Sequence, residues 1–173
     1  MAVPLIFDTI EKSGLSIWLR ESDSVFAFYF VLLFHTFGLA LLVGANTVMD
    51  LRLLGLPSGL PLKPLNRLFR IMWMGFTINL ISGIFLLIAY PTKALTNPVF
   101  YVKLSVIATA LIILAKIKSR VFDDPSLSEE ARMARGATLA KVSLVLWIVA
   151  ITCGRLLAYT YTYLLYGRYA PGG

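Results

Sequence analysis

Charge is scarce in this chain of 173 residues: Asp, Glu, Lys and Arg make up 14% of it, where soluble domains carry about 25%. With 58% apolar residues and a mean hydropathy of +0.80, an ordinary cytosolic domain is excluded and an integral membrane protein is expected. Cysteine occurs once, as Cys153 within an apolar run, which excludes an intrachain disulfide and a cysteine-based metal site and predicts a buried free thiol. Histidine also occurs once, as His35, so no zinc, copper or di-haem scheme that draws several imidazoles from one chain can operate. There is no Ser, His, Asp set, no pair of intramembrane carboxylates, no phosphate-binding glycine loop and no HExxH motif. Broken helices and coupling carboxylates, the usual marks of a transporter, are missing too. Residues 1–22 lack a basic segment followed by a continuous apolar one, which argues against a cleaved secretory signal.

What is present is a set of four long apolar runs, at residues 25–49, 68–90, 100–117 and 139–166, each flanked by charge or by Pro and Gly. They predict an all-α integral membrane protein with four transmembrane helices. Ahead of them Leu5, Ile6, Ile10, Leu15, Trp18 and Leu19 are mixed with Asp8, Glu11 and Lys12 and interrupted by Gly14. That mixture is too polar to span and suits an interfacial amphipathic arm. The expected organisation is an arm over residues 1–24, a four-helix transmembrane bundle over 25–167 and a short tail over 168–173. The connection DLRLLGLPSGLPLKPLNR is broken by three prolines and two glycines, and PTKALTNP is a short turn. In KSRVFDDPSLSEEARMARG, Ser126 or Ser128 is expected to cap a short surface helix ending near Gly136.

The excess of basic residues, 16 Lys and Arg against 9 Asp and Glu, reads as a topology signal. The first and third connections and their flanks hold ten of the sixteen: Arg52, Lys63, Arg67, Arg70, Lys116, Lys118, Arg120, Arg132, Arg135 and Lys141. The opposite side holds four, Lys12, Arg20, Lys93 and Arg168, while Lys103 and Arg155 lie within spans. The bias predicts a multi-pass protein of a bacterial inner (cytoplasmic) membrane with both termini periplasmic, and leaves no role for nucleic acid.

Polar groups in hydrocarbon are costly, so those within the spans are the candidate functional residues. At a rise of about 1.5 Å per residue, His35 lies roughly 15 Å from the outer end of the first span, and Asn79 and Arg155 lie roughly 16 Å from the outer ends of the second and fourth. Thr36, Ser82 and Thr152 fall within a turn of that level, and Lys103 near the outer end of the third span. His35, Leu39, Leu42, Asn46 and Asp50 form one helical stripe, with Gly38 and Gly44 beside it. One reading makes His35 an axial ligand to a tetrapyrrole metal; the other makes it a neutral histidine bonded to a neighbouring helix. Arg155 has no Asp or Glu within the spans to pair with, so a haem propionate, a quinone carbonyl, a lipid phosphate or a partner subunit's carboxylate are its open options, as is snorkelling along Tyr159 and Tyr161. Asp50 and Arg52 sit where the first span meets the cytoplasmic interface, and an ion pair with Arg67 or Arg70 or plain interface anchoring is expected there rather than catalysis. Met72 and Met74 read as packing, and Tyr159, Tyr161, Tyr163, Tyr166 and Tyr169 as an interfacial belt.

The segment WLRESDSVFAFYFVLLFHTFGLALLVGANTVMDLRLLGL resembles an uncharacterised family of small bacterial inner-membrane proteins, through Trp18, Arg20, Ser22, His35, Gly38, Ala40, Gly44, Asp50, Leu51, Arg52 and Gly55. The resemblance continues through Asn97, Pro98 and Lys103. More distantly, a four-helix layout with a first-span histidine and a lysine early in the third span is similar to the copper-resistance D proteins and the HemJ-type protoporphyrinogen oxidases. In the latter the histidine is associated with haem b, so the resemblance implies His35 as ligand and Lys103 near the porphyrin. The second imidazole is lacking, and the oxidase activity is not implied.

The function expected from these residues is a haem b or quinone binding subunit for electron transfer in a larger membrane complex, with His35, Gly38, Asn79, Lys103 and Arg155 around the cofactor and His35 on the metal. The alternative is a non-catalytic accessory subunit contacting other membrane subunits, lipid or pigment, bacteriochlorophyll being a further possible partner of a lone histidine. A small-solute transporter ranks third. The topology is tested by reporter fusions: those after Gly136 are expected to behave as cytoplasmic and those at Gly173 as external, and the reverse pattern would refute the four-span arrangement.

Overall fold

A computed structural model describes the protein over residues 5–166, with side chains described through residue 160. The expected tail, and the side chains of Tyr161, Tyr163, Tyr166 and Tyr169, lie outside the described residues. Two short helices, α1 (Leu5–Glu11) and α2 (Gly14–Glu21), precede α3 (Phe28–Leu53). A 3-10 turn at Lys63–Arg67 leads into α4 (Leu68–Ala89), followed by the short α5 (Pro91–Leu95), then α6 (Pro98–Ile117), a π turn at Lys118–Phe122, and α7 (Glu129–Tyr166). The four long segments are each long and apolar enough to cross a membrane, and within their apolar windows at most 22% of residues are buried inside the protein. Apolar side chains such as Ile148, Val145, Phe37 and Ile112 therefore face outward, as suits contact with lipid. The molecule is an all-α, multi-pass membrane protein.

The buried apolar core is confined to one half of this bundle. The buried apolar cluster takes Leu42, Met49 and Leu53 from α3, Phe69 and Met72 from α4, Ala110, Leu114 and Ile117 from α6, and Ala140, Trp147 and Ala150 from α7. All lie toward the end where the connections carry most of the basic residues, here termed the basic end. At the opposite, arm end, α3 stays against α4 and α6 against α7, but α4 and α6 scarcely touch. Met72 is fully buried as expected, whereas Met74 faces outward.

Local sequence explains how the basic end is closed. Arg132 donates to the carbonyls of Val121, Phe122, Asp124 and Leu127, supplying the donors that the end of α6 lacks. Asp124 accepts from the Ser126 hydroxyl and amide, which hold its carboxyl below the ordinary range. Ser128 caps α7, its hydroxyl accepting from the Ala131 amide at 3.2 Å. The helix does not end near Gly136 as the sequence suggested but continues through it, because the hydrogen of Gly136 leaves space for the Leu53 side chain, which an added Cβ would meet at 2.9 Å. Arg52 pairs with Glu129 at 2.6 Å and also donates to the Leu60 carbonyl, while Asp50 accepts from Asn46 and forms no ion pair with Arg67 or Arg70.

At the arm end, Ser13 caps α2, Leu19 is buried, and the Ser16 hydroxyl donates to the Ala89 carbonyl at the end of α4. Arg20 bonds the Glu11 carbonyl, and Thr92 of α5 donates to the Glu11 carboxylate at 2.7 Å. Leu5, Ile6 and Trp18 remain exposed. Asn97 caps α6 ahead of Pro98 and donates to Thr160 of α7 at 2.8 Å, fixing that pair of helices at the same end.

The α3 and α4 backbones meet at two glycines. A Cβ on Gly38 would lie 2.7 Å from the Asn79 nitrogen and 2.8 Å from the Gly75 oxygen, and one on Gly75 would lie 2.7 Å from the Leu42 nitrogen. These neighbours are backbone and cannot turn aside. Gly38→Ala or Gly75→Ala is expected to cost about 1–3 kcal/mol of stability, read as a lowered unfolding midpoint in detergent, while Gly44→Ala, in open space, leaves the midpoint unchanged or raises it.

Candidate functional site

The close approach of α3 and α4 brings three polar side chains into register. Gly75, Asn79 and Gly83 recur every four residues and so lie along one face of α4, the face turned to α3. Asn79 Nδ2 donates to the His35 carbonyl at 2.7 Å, and His35 Nδ1 lies 3.1 Å from the Asn79 carbonyl and 3.0 Å from Ser82 Oγ. Gly83 makes room for the ring, since a Cβ there would lie 3.3 Å from His35 Cε1.

These contacts fix the imidazole tautomer. The Ser82 hydroxyl spends its own proton on the Ile78 carbonyl at 2.7 Å, so its oxygen accepts from the ring, and the Asn79 carbonyl can only accept. Nδ1 therefore carries the hydrogen. Nε2 is left with its lone pair, has no hydrogen-bond partner among the described residues, and belongs to a ring that lines a cavity. A backbone carbonyl and a hydroxyl orienting one nitrogen while the other stays basic is the arrangement found behind metal-bound histidines.

The cavity has a volume of about 450 Å³ and lies between the splayed α4 and α6, floored by α3 and α7. Its walls are mainly apolar: Phe76, Leu80, Ile84 and Leu87 on one side, Phe100, Leu104 and Ile107 on the other, with Phe28 and Tyr90 toward the arm end. Leu80, Ile84 and Leu104 are also exposed on the outer surface, so the cavity opens sideways toward lipid. Lys103 enters from α6, its stem lying across Gly154 with Nζ 3.8 Å from where a Cβ would stand. It has no hydrogen bond or ion pair with another described residue, and a desolvated ammonium in such walls calls for an acceptor or anion.

Of the residues singled out from sequence, His35, Asn79 and Lys103 line one cavity. Gly38 does not; it holds the helices together one turn away. Arg155 is exposed, lies outside the cavity lining, and has no polar partner among the described residues. Matching depth placed Arg155 beside His35, but depth says nothing of which face a side chain takes. Gly83, Gly154, Phe28 and Tyr90 escaped the sequence reading, and the four-residue spacing of Gly75, Asn79 and Gly83 was the signal that could have exposed the α4 face. Cys153 is a buried free thiol, as expected. The chain matches no protein-family model, no curated protein and no solved structure.

The clamp is reciprocal but modest. Asn79→Leu is expected to lower stability by about 0.6 kcal/mol, the average for an interhelical hydrogen bond in a membrane, and by at most about 1.7 kcal/mol. Thermal unfolding in detergent checks this, and a loss beyond that of the Gly38 variant would mean that Asn79 does more than bridge α3 and α4.

Proposed function

We propose that the protein is a membrane-embedded cofactor-binding subunit for electron transfer, holding haem b through His35 in the cavity between α4 and α6. The observation that carries this reading is the fixed tautomer of His35, with Nδ1 hydrogen-bonded to Asn79 and Ser82 and the Nε2 lone pair left over on a ring that lines the cavity. The residues fit the group. His35 would be the axial ligand, the apolar walls would hold the macrocycle, and the Lys103 ammonium would neutralise a propionate, a part that sequence alone assigned to Arg155. When bound, haem supplies one-electron chemistry; the chain orients the imidazole, excludes water and provides the counter-charge.

The sideways opening supports a second reading, a quinone. Its isoprenoid tail would leave through the gap between α4 and α6, with Lys103 donating to a carbonyl oxygen and His35 Nε2 accepting from a quinol hydroxyl. The exposed Arg155 on a lipid-facing helix supports the accessory component of the proposal, contact with a carboxylate of another membrane subunit. Residence in a bacterial inner membrane with both termini periplasmic belongs to the same proposal and rests on the ten-to-four distribution of basic residues.

Protein expressed with ample haem and purified in mild detergent is expected to show a Soret band with reducible α and β bands. His35→Ala should abolish or shift them while the spans still insert, and Lys103→Met should weaken retention or change the midpoint potential. A red-shifted band would indicate bacteriochlorophyll, and co-purifying quinone lost in Lys103→Met would favour the second reading. Intact, colourless, quinone-free protein would retire both and leave the accessory role.

A further inference from the structure

A second polar cluster lies on the same helix, nearer the basic end. Asn46, Asp50 and Ser143 are each fully buried within the bundle, where α3 packs against α7. Asn46 Nδ2 donates one hydrogen to Asp50 Oδ2 at 2.5 Å and the other to Ser143 Oγ at 2.8 Å. Both amide hydrogens are then used. Asn46 Oδ1 and Asp50 Oδ1 are left buried and without a partner. Both are acceptors with no donor within hydrogen-bond reach, so they can take a further donor or a cation.

No cation is bonded to the cluster from the described residues. On the same helix Arg52 is committed to Glu129, the Leu60 carbonyl and the Met133 sulfur. Arg67 and Arg70 at the start of α4, Lys116 on α6 and Lys141 on α7 are all exposed, and none is bonded to Asp50. An ionised carboxylate buried in a span without a counter-charge is among the most costly arrangements in a membrane protein, and such groups mark ion or proton sites. The site also carries only one acidic group, and no cluster of three metal-ligating acids, histidines or cysteines exists among the described residues. One negative charge with neutral amide and hydroxyl oxygens matches a monovalent cation; divalent sites draw on more carboxylates.

We infer that Asp50, Asn46 and Ser143 form a buried binding site for one monovalent cation, a proton or Na⁺, independent of the His35 cavity. A proton would sit on the Asp50 carboxyl and make it a neutral acid. Sodium would take the unpartnered oxygens of Asp50 and Asn46 together with the second lone pair of the Ser143 hydroxyl. Trp147, one turn beyond Ser143 on α7, has an indole N–H that is also buried and unpartnered. It repels a bare cation but donates to a water, so a bound Na⁺ would bring water to that side.

The test uses the full chain in detergent. Thermal unfolding is followed while NaCl replaces choline chloride at constant ionic strength, and infrared spectra are compared between wild type and Asp50→Asn. A saturable rise in the unfolding midpoint with Na⁺, absent with choline and lost in Asp50→Asn, establishes the sodium form, and Ser143→Ala should move its half-saturation to higher Na⁺. No response to Na⁺, with a protonated-carboxyl stretch in wild type at neutral pH that vanishes in Asp50→Asn, establishes the proton form. An Asp50 that is ionised at neutral pH, in protein indifferent to Na⁺, overturns the proposal. Should Asp50→Asn fail to fold, the sodium form is read on wild type against the choline control, and the carboxyl stretch is assigned by its shift in Ser143→Ala.

Discussion

The contact of the α3 and α4 backbones at Gly38 and Gly75 is the constraint on which the rest of the arm half depends. Hydrogen in place of a side chain lets the two helices touch at backbone distance, and only then can Asn79 reach the His35 carbonyl while His35 reaches back to the Asn79 carbonyl and Ser82. In lipid no hydrophobic force separates tight helix pairs from loose ones, so close backbone approach and a few hydrogen bonds decide which helices stay together. On the other side α6 is bound to α7, with Asn97 tied to Thr160. Nothing comparable joins α4 to α6. The cavity is the space left when two well-made pairs share a core only in their basic half.

That division of labour also explains the length of α7. At about 1.5 Å per residue, its 32-residue candidate span Glu129–Thr160 is roughly 48 Å long, well beyond the ~30 Å hydrocarbon core. At its basic end Glu129 meets Arg52 and Arg132 closes the turn that follows α6. These charged contacts brace the half of the bundle that holds the apolar core. The arm end is closed differently, by α1, α2 and α5 lying across the ends of the long helices.

The spans and the polar residues within them were legible because membranes impose simple rules on them. Twenty apolar residues must appear in a row, and a polar group within them is conspicuous. The bends in the reading share one cause: sequence gives position along a helix far better than direction around it. Gly136 looked like a helix end because glycine disfavours helix interiors, yet Leu53 of a distant segment needed the room. Arg155 matched His35 in depth and faces away from it, while Lys103, thought to lie shallower, shares its cavity. The stripe through His35, Asn46 and Asp50 was visible, but not that α4 would take its arm half and α7 its basic half.

Helix α3 thus carries two polar sites on one side, separated by 15 residues, or roughly 22 Å. If an electron arrives at the level of His35 and a monovalent cation binds at Asp50, the two charges interact across that length. With an effective dielectric constant near 20, the energy is roughly 0.8 kcal/mol, about a fourfold change in a binding constant. Direct electrostatics therefore links the sites only weakly. Stronger linkage must pass through packing, and the layer between them is the place for it: Gly38 against Gly75, then Leu42 and Met49 in the core beside Ala150 and Trp147. A shift of α4 against α3 at that layer would alter the cavity and the Asn46 contacts on α7 together, because all of them are mounted on the same rigid helix.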